Sequence, residues 1–305
     1  MSRSYRIYQV DAFTREAFTG NPAGVVLDAD GLSDAQMQAI AREFNNSETA
    51  FVLSPRDDSH ALWLRYFTPT TEVPVCGHAT VAAHYARAVE LGLPATSLRQ
   101  LTGVGVMQID IEPDGAGDYR VWMRQNPPQF GPALSDSECA ALVAALGIDA
   151  DELGDGPVEI VSTGHSKVMV PLRRRERMDR LAPDLPALAA LSRRIGCNGF
   201  HVFALDAPAP GVLAHGRMFA PAIGIAEDPV TGNANGPLGA YLVRHRLIDP
   251  ARYRDGLSAV MGQGEAIGRP GRVRVEVAVE GADAQPVSVR IGGDATIVFA
   301  ATIRV

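Results

Sequence analysis

The fold is decided by the segment Arg65-Tyr-Phe-Thr-Pro-Thr-Thr-Glu-Val-Pro-Val-Cys-Gly-His-Ala-Thr80, because the chain contains a second version of it. Its pattern predicts a strand, then a turn-rich loop, then the first turn of an apolar helix. The second version begins with Arg217-Met-Phe-Ala-Pro221 and ends with Gly232-Asn-Ala-Asn235, displaced by a three-residue insertion. A strand, loop and helix start that occur twice predict a protein built from two similar halves.

The similarity between the halves extends upstream of this segment at the same spacing. On this alignment Phe51 falls opposite Phe203, and Phe67 falls opposite Phe219. Each half also has alternating stretches typical of strands and one helix with small or apolar residues on most faces, which indicates a buried helix. We therefore predict an α+β fold with two pseudo-symmetric domains, each a mostly antiparallel, barrel-like sheet around a central helix.

Length and composition favour a globular protein of two domains. The 305 residues are 46% hydrophobic and 21% charged, and the net charge is −7. An acidic chain without a long basic tract is not expected to bind nucleic acid. The three cysteines are far apart, which favours a reducing compartment, and no stretch approaches membrane-spanning length. We therefore expect a soluble, cytoplasmic protein that has no membrane partner.

Motifs for metals and nucleotides are absent from the sequence. The seven histidines are scattered without the short spacings typical of metal sites, and the cysteines have no such spacing either. There is no Walker A loop and no dinucleotide-binding glycine motif. The spacing of residues along the chain therefore predicts no metal site and no nucleotide site.

Both predicted central helices begin with a glycine, at Gly77 and at Gly232. The first N–H groups of a helix have no partner within the helix, and together with the helix dipole they can bind an anion. Two such helix starts facing each other across a cleft could hold a carboxylate substrate between them. Either glycine could also serve only the first helical turn, but its presence in both halves favours the binding role.

Glu48 is the candidate residue for proton transfer. It stands in Asn45-Asn-Ser-Glu-Thr-Ala-Phe51, directly before a predicted strand, and the alignment places it opposite Phe200. One half would then carry a carboxylate where the other half carries an aromatic ring. A general acid or base needs a carboxyl group whose pKa is moved toward the working pH, and an apolar pocket does this. The alternative interpretation is an ordinary exposed loop glutamate.

Cys76 and Asp228 stand at matching places before the two predicted helices. A thiol at a helix N-terminus is a good acid or base, and two facing thiols would indicate a racemase. Asp228 breaks that symmetry, and both residues have structural alternatives, Cys76 as a small buried residue and Asp228 as a cap or turn residue. His78 is placed to bind a ligand or Asp228. Arg65 and Arg217 are expected to pair with nearby acids.

Several motifs together resemble the PhzF-like (phenazine biosynthesis) isomerase family, which shares the diaminopimelate epimerase fold. They extend over nearly the whole chain, and their combination is specific although each motif alone is not. The motifs are Phe18-Thr-Gly-Asn-Pro-Ala-Gly-Val25, Asn46-Ser-Glu-Thr-Ala-Phe51, Phe67-Thr-Pro69, Cys76-Gly-His-Ala-Thr80, Glu227-Asp-Pro-Val-Thr-Gly232 and Gln263-Gly-x-x-x-Gly-Arg-Pro270.

The resemblance implies an active site between the two domains, catalysis without a cofactor, and a homodimer. It also implies that the C-terminal strand returns to the first domain, so we place one domain at residues 1–122 with strand 294–305 and the other at 123–293. The family's catalytic glutamate falls on Glu48. Its substrate-binding positions fall on Asn21, Gly77, His78, Asp228, Gly232 and Asn233, and we expect Cys76 to line the same pocket.

Three functions are open from the sequence. The first is a cofactor-independent isomerase that uses Glu48 to move a proton on a small carboxylate. The second is an amino-acid epimerase or racemase that uses Cys76, and the third is a non-catalytic protein that binds a small carboxylate. Ala79 and Asn233 depart from the residues that the phenazine isomerases have at these positions, so the resemblance does not identify the substrate.

Overall fold

The computed structural model describes residues 3–115, 117–206 and 209–305. In this range the chain forms two compact units, one of residues up to Arg124 with Gly292–Val305, and the other of Gln125–Ile291. These boundaries lie two residues from the predicted ones, which were set after residue 122 and before residue 294. Met123 explains the first shift, because it pairs with Ile109 in an antiparallel strand pair of the first unit. Gln125 instead hydrogen bonds to Thr163 and Asn233 of the second unit.

The elements are named here in chain order. The first unit contains β1 (Ser4–Ala12), β2 (Asn21–Val26), α1 (Asp34–Phe44), β3 (Thr49–Leu53), β4 (Leu62–Phe67), β5 (Glu72–Val73), α2 (Gly77–Leu91), β6 (Thr96–Thr102), β7 (Gly105–Pro113) and β8 (Tyr119–Arg124). The second contains β9 (Gln129–Ala133), α3 (Asp136–Leu146), β10 (Glu159–Ser162), β11 (Ser166–Leu172), α4 (Arg175–Asp179), α5 (Leu185–Ile195), β12 (Phe200–Ala204), β13 (Ala214–Ala220), β14 (Ile225–Asp228), α6 (Gly232–Arg244), β15 (Leu257–Gln263) and β16 (Gly271–Glu280). The last strand, β17 (Gln285–Arg304), begins in the second unit and ends in the first.

In the first unit the strands close into a barrel around α2. Neighbouring strands pair in the order β1, β2, β3, β4, β6, β7 and β8, and β17 pairs with both β1 and β8. The β2–β3 and β4–β6 pairs are parallel. Residues 77–86 of α2 are all buried, because strands surround the helix, and this explains its small and apolar side chains. Helix α1 packs on the outside of β3 and β4.

The second unit repeats this sequence of strand directions. The β9–β10, β10–β11, β12–β13 and β15–β16 pairs are antiparallel, and the β11–β12 and β13–β15 pairs are parallel. Helix α6 is mostly buried against β10, β11, β15 and β16, while α3 and α5 form a separate apolar cluster with the other face of the sheet. The predicted α+β fold, with a sheet around a central helix in each half, is confirmed.

The pairing register corrects the predicted alignment of the two halves by one residue. Arg65 pairs with Phe51 in the first unit, whereas Arg217 pairs with Val202 in the second. Since the two arginines belong to the repeated Arg-x-Phe-x-Pro motif, Phe51 matches Val202. The prediction that Phe51 superposes on Phe203 is therefore wrong.

The error has a simple structural cause. The connection from β12 to β13 is one residue longer than the connection from β3 to β4. The match of Phe67 with Phe219 agrees with the register, because both lie downstream of this extra residue. Phe203 instead faces the central helix, where its ring lies 5.7 Å from the ring of Tyr241.

Candidate functional site

The first part of the candidate site is the N-terminus of α2. Cys76 is the last residue before the helix, in an extended conformation, and its side chain makes no capping hydrogen bond. The helix therefore starts without the Ser, Thr, Asp or Asn cap that most helices use. A helix start of this kind can bind an anion through its first N–H groups and the positive end of its dipole.

Glu48, Cys76 and His78 form a compact cluster at this helix start. Nε2 of His78 lies 3.4 Å from Oε2 of Glu48, and Nδ1 of His78 lies 3.4 Å from Sγ of Cys76. The hydroxyl oxygen of Ser47 lies 3.3 Å from the same Nε2. A neutral His78 with its proton on Nε2 can donate to the carboxylate, while its Nδ1 lies beside the thiol sulfur. One imidazole ring thus links the carboxylate to the thiol.

The environment of Glu48 suits a group that exchanges protons. Burial raises the pKa of Glu48, and hydrogen bonds from Ser47 and Cys76 offset part of that rise. The Glu48 side chain is 12% exposed, so little water competes for its charge. A carboxyl group whose pKa is raised toward neutrality can both take and return a proton.

The second unit has a glycine where the first unit has Glu48. The N–H of Gly24 donates to the carbonyl oxygen of Glu48 at 3.3 Å, and in the matching parallel pair the N–H of Val168 donates to that of Gly199 at 2.9 Å. Glu48 therefore matches Gly199, and the predicted match with Phe200 is wrong for the same one-residue reason. The first unit therefore carries a carboxylate at this position, whereas the second unit carries no side chain there, because the matching residue is glycine.

The start of α6 has Thr231 where the start of α2 has Cys76. Thr231 is the last residue before α6, which begins at Gly232. Asp228 is instead the last residue of β14, where it pairs with Met218. The predicted match of Cys76 with Asp228 is therefore wrong, because the three inserted residues lie upstream of Asp228. Val73 pairs with Tyr66 and Asp228 pairs with Met218, so Asp228 matches Val73. Asp228 still contacts this helix start, since its Oδ2 accepts a hydrogen bond from the Thr231 hydroxyl at 2.5 Å.

Gln263 organises the start of α6, and no role for it was predicted from the sequence. Its Nε2 donates to the carbonyl oxygen of Asp228 at 2.8 Å and to the hydroxyl oxygen of Thr231 at 3.0 Å. Its Oε1 accepts hydrogen bonds from the N–H of Thr231 at 3.1 Å and from Nδ2 of Asn235 at 2.8 Å. The sequence feature that could have indicated this role is a polar amide at the end of the apolar strand β15. Such an amide needs hydrogen-bond partners if it is buried.

Lys167 is a second polar residue of this unit that the sequence did not indicate. Its side chain starts from β11, the residue is 4% exposed, and Nζ donates to the carbonyl oxygen of Ser166 at 3.2 Å. Burial lowers the pKa of Lys167 to about 8, although the attraction of Cys197 and Asp228 opposes the shift. The Asp228 carboxylate thus has a buried cation in its surroundings.

The other predicted site residues lie at element starts. Asn21 is the first residue of β2, is buried, and pairs with Ala12 of β1. Asn233 lies in the first turn of α6, where its Oδ1 accepts a hydrogen bond from Nε2 of Gln125 at 2.9 Å. The structure thus places the predicted residues in two sets, with Asn21, Glu48, Cys76, Gly77 and His78 in the first unit and Asp228, Gly232 and Asn233 in the second.

A directed chain of buried hydrogen bonds ends at the carbonyl oxygen of Cys76. Nε2 of His84 donates to Oε1 of Gln100 at 2.6 Å, and Nε2 of Gln100 donates to the hydroxyl of Tyr66 at 3.3 Å. That hydroxyl donates to Oγ1 of Thr80 at 2.6 Å, which donates to the Cys76 carbonyl oxygen at 2.7 Å. The direction follows because a carbonyl oxygen can only accept. The chain holds the backbone of the helix start in place.

Replacing Tyr66 by Phe is expected to lower the free energy of unfolding by about 1–3 kcal/mol. The change removes the hydroxyl in the middle of the chain, so the Gln100 amide and the Thr80 hydroxyl lose a buried partner. Unfolding in urea measures the loss. The control is Tyr119→Phe at a half-buried position, where an effect within about 0.5 kcal/mol is expected. Equal losses in the two variants would contradict a role for the chain.

Comparisons with known proteins find similarity along the whole chain. The family model described as phenazine biosynthesis-like protein matches residues 10–301. An uncharacterized isomerase of Clostridium acetobutylicum is 50% identical over 301 residues, covering 98% of each chain. Trans-2,3-dihydro-3-hydroxyanthranilate isomerase of Pseudomonas fluorescens is 36% identical over 264 residues, covering 86% of each. The crystal structure of a Bacillus anthracis phenazine biosynthesis protein of the PhzF family has a TM-score of 0.86 at 32% identity, covering 99% of each chain.

Proposed function

Because the chain belongs to the phenazine biosynthesis-like protein family, we propose that it is an isomerase that moves a proton between two carbon atoms of a small carboxylate, with Glu48 as general acid and base. The observation that carries the proposal is the position of Glu48. It is a buried carboxyl with a raised pKa, 3.4 Å from His78 at an uncapped helix start. The reaction needs no cofactor in this proposal, as the family resemblance implies.

The proposed reaction uses one carboxyl group for two proton transfers. The Glu48 carboxylate takes a proton from one carbon of the substrate, and the electron pair of the broken C–H bond shifts the neighbouring double bond. The protonated Glu48 then gives the proton to the carbon at the other end of the shifted bond. His78 keeps the carboxyl oriented, and the N–H groups at the start of α2 hold the substrate carboxylate.

The substrate class follows from the helix start and from one relative. An uncapped helix N-terminus favours a carboxylate, and a relative that is 36% identical carries trans-2,3-dihydro-3-hydroxyanthranilate in its name. We propose a small unsaturated carboxylate of this kind. The test is incubation of the protein in D₂O with that compound and with a panel of other unsaturated carboxylates, followed by NMR. Deuterium at a new carbon position, or a shifted double bond that retains the transferred proton, supports the proposal, and a panel in which no compound changes would contradict it.

The second candidate function is epimerisation by the Cys76 thiol. One observation favours it, because Sγ of Cys76 lies 3.4 Å from Nδ1 of His78, which could take the thiol proton. The matching position in the second unit is Thr231, whose hydroxyl is a far weaker acid than a thiol. A two-base epimerase needs an acid on each face of the carbon, so the isomerase has the stronger support.

Substrate contact by Asp228, Gly232 and Asn233 stays a prediction. Asp228→Asn is expected to raise KM by about tenfold or more, because a lost charged hydrogen bond is worth about 1.5–3 kcal/mol. The asparagine oxygen can still accept the hydrogen bond from Thr231, so the thermal unfolding temperature should change little. Asp249→Asn, at an exposed cap in the same unit, is the matched control. An unchanged KM in Asp228→Asn would remove this residue from the site.

Assembly and location also stay predictions. We propose a homodimer, as the resemblance implies, and a cytoplasmic location, which the three free cysteines favour. No helix in the described part of the chain is long and apolar enough to cross a membrane.

A further inference from the structure

The cluster at the start of α2 combines three donor types that zinc prefers. Glu48, Cys76 and His78 supply a carboxylate oxygen, a sulfur and an imidazole nitrogen, and these atoms all lie within 4.8 Å of one another. No other group of three or more His, Cys, Asp or Glu side chains in residues 3–115, 117–206 and 209–305 brings its donor atoms this close. The spacing of residues did not indicate this cluster, because Glu48 lies before β3 whereas Cys76 and His78 lie at the start of α2.

We propose that this cluster binds one Zn²⁺ ion or a similar divalent transition metal, and that the bound ion inhibits the enzyme. Zinc bonds are about 2.3 Å to sulfur and about 2.0–2.2 Å to nitrogen and oxygen, so the donors of a tetrahedral site lie about 3.3–3.6 Å apart. Nε2 of His78 lies 3.4 Å from Oε2 of Glu48 and 3.9 Å from Sγ of Cys76. The Glu48 oxygen and the Cys76 sulfur lie within 4.8 Å of each other, so side-chain shifts of up to about one ångström complete three corners of the tetrahedron.

The charges also suit a divalent cation. A carboxylate and a thiolate neutralise the two positive charges, and the neutral imidazole adds the third bond. The helix start favours the thiolate form of Cys76, since the positive end of the dipole lies there. Three protein ligands leave the fourth position for water, which is the arrangement of an open zinc site.

Inhibition follows from the identity of the ligands, and this part rests on the proposed function. A metal bound to Glu48 lowers the basicity of the carboxylate that must accept the proton, and it also removes the hydrogen bond from His78. The metal-bound protein is therefore expected to exchange no deuterium into its substrate, and chelation is expected to restore the exchange.

Cobalt titration of the chelator-treated full chain tests the site without an activity assay. The expected result is one Co²⁺ per chain with a thiolate-to-cobalt charge-transfer band and the intense visible bands of four-coordinate cobalt, all lost on adding Zn²⁺. Cys76→Ser should remove the charge-transfer band, and His78→Gln should weaken binding at least about tenfold. Cys139→Ser should keep both the charge-transfer band and the wild-type affinity for Co²⁺. An absent band in the wild-type chain, or a band that depends on Cys139 instead, would overturn the site.

Activity separates this proposal from the proposed function. If the metal-free chain exchanges deuterium but shows no cobalt–thiolate band, the metal site fails and the isomerase stands. If the band is present but no substrate exchanges in the metal-free chain, the isomerase fails and the metal site stands. If the zinc-bound chain exchanges as fast as the metal-free chain, inhibition is wrong. Cys76→Ala serves as a second variant if Cys76→Ser does not fold.

Discussion

Replacing Glu48 by Gln is expected to lower kcat for isomerisation by about 10²–10⁴-fold, the usual contribution of a positioned acid or base. The amide cannot carry a proton between two carbons, whereas its oxygen can still accept a hydrogen bond from His78. Substrate binding and the unfolding temperature should therefore change little, and the loss should fall on kcat rather than KM. The measurement is steady-state turnover of the exchanging substrate.

The matched control for this variant is Glu43→Gln, an exposed glutamate of α1 in the same unit. It removes the same charge without touching the cluster, so it should keep wild-type turnover. A Glu48→Gln enzyme that retains more than about a tenth of the wild-type kcat would remove Glu48 from the proton transfer.

Replacing Arg217 by Met is expected to lower the free energy of unfolding by about 3–5 kcal/mol, because it leaves a buried acid unpaired. Nε and Nη2 of Arg217 donate to the two carboxylate oxygens of Glu227 at 2.9 Å and 2.7 Å. Its Nη1 donates to the carbonyl oxygens of Met178 and Leu181, both at 2.9 Å. The Arg217 and Glu227 side chains are only 8% and 14% exposed, so water cannot replace the lost donors.

Arg65 is the matched comparison, since it stands at the same place in the first unit. It pairs with Glu72 and Asp34, whose side chains are 43% and 79% exposed. Water can solvate both acids after Arg65→Met, so a loss of about 1 kcal/mol is expected. Denaturant unfolding of the two variants measures the difference, and similar losses would show that burial of Glu227 is not what matters. The sequence prediction that both arginines pair with nearby acids is confirmed.

The sequence predicts the repeated architecture but not its register. Two copies of a strand, loop and apolar helix start indicate two similar halves, because each copy needs the same surroundings to bury its helix. The alignment failed where a connection changed length, and that moved Phe51 from its true match, Val202, to Phe203. Constant spacing in a sequence cannot show which residues hydrogen bond across a pair of strands.

The residues of the candidate site likewise fall into some that the sequence could predict and others that it could not. The helix starts at Gly77 and Gly232 could be predicted, because glycine before an apolar helix is a local signal. Gln263 and Lys167 were missed, because a single polar residue near a strand end is usually exposed, and their burial depends on distant chain segments. For Gln263 the only local signal was its place at the end of an apolar strand. The closeness of Glu48 to His78 is also non-local, and it required the register of the folded barrel.

The claim that Glu48 carries the proton is tested most directly by deuterium uptake from D₂O, measured for Glu48→Gln and Cys76→Ala on the same substrate. The predicted result is that Glu48→Gln stops the uptake while Cys76→Ala keeps it, since the thiol only lines the pocket in this account. Loss of uptake in Cys76→Ala together with retained uptake in Glu48→Gln would contradict the account and assign the proton to the thiol.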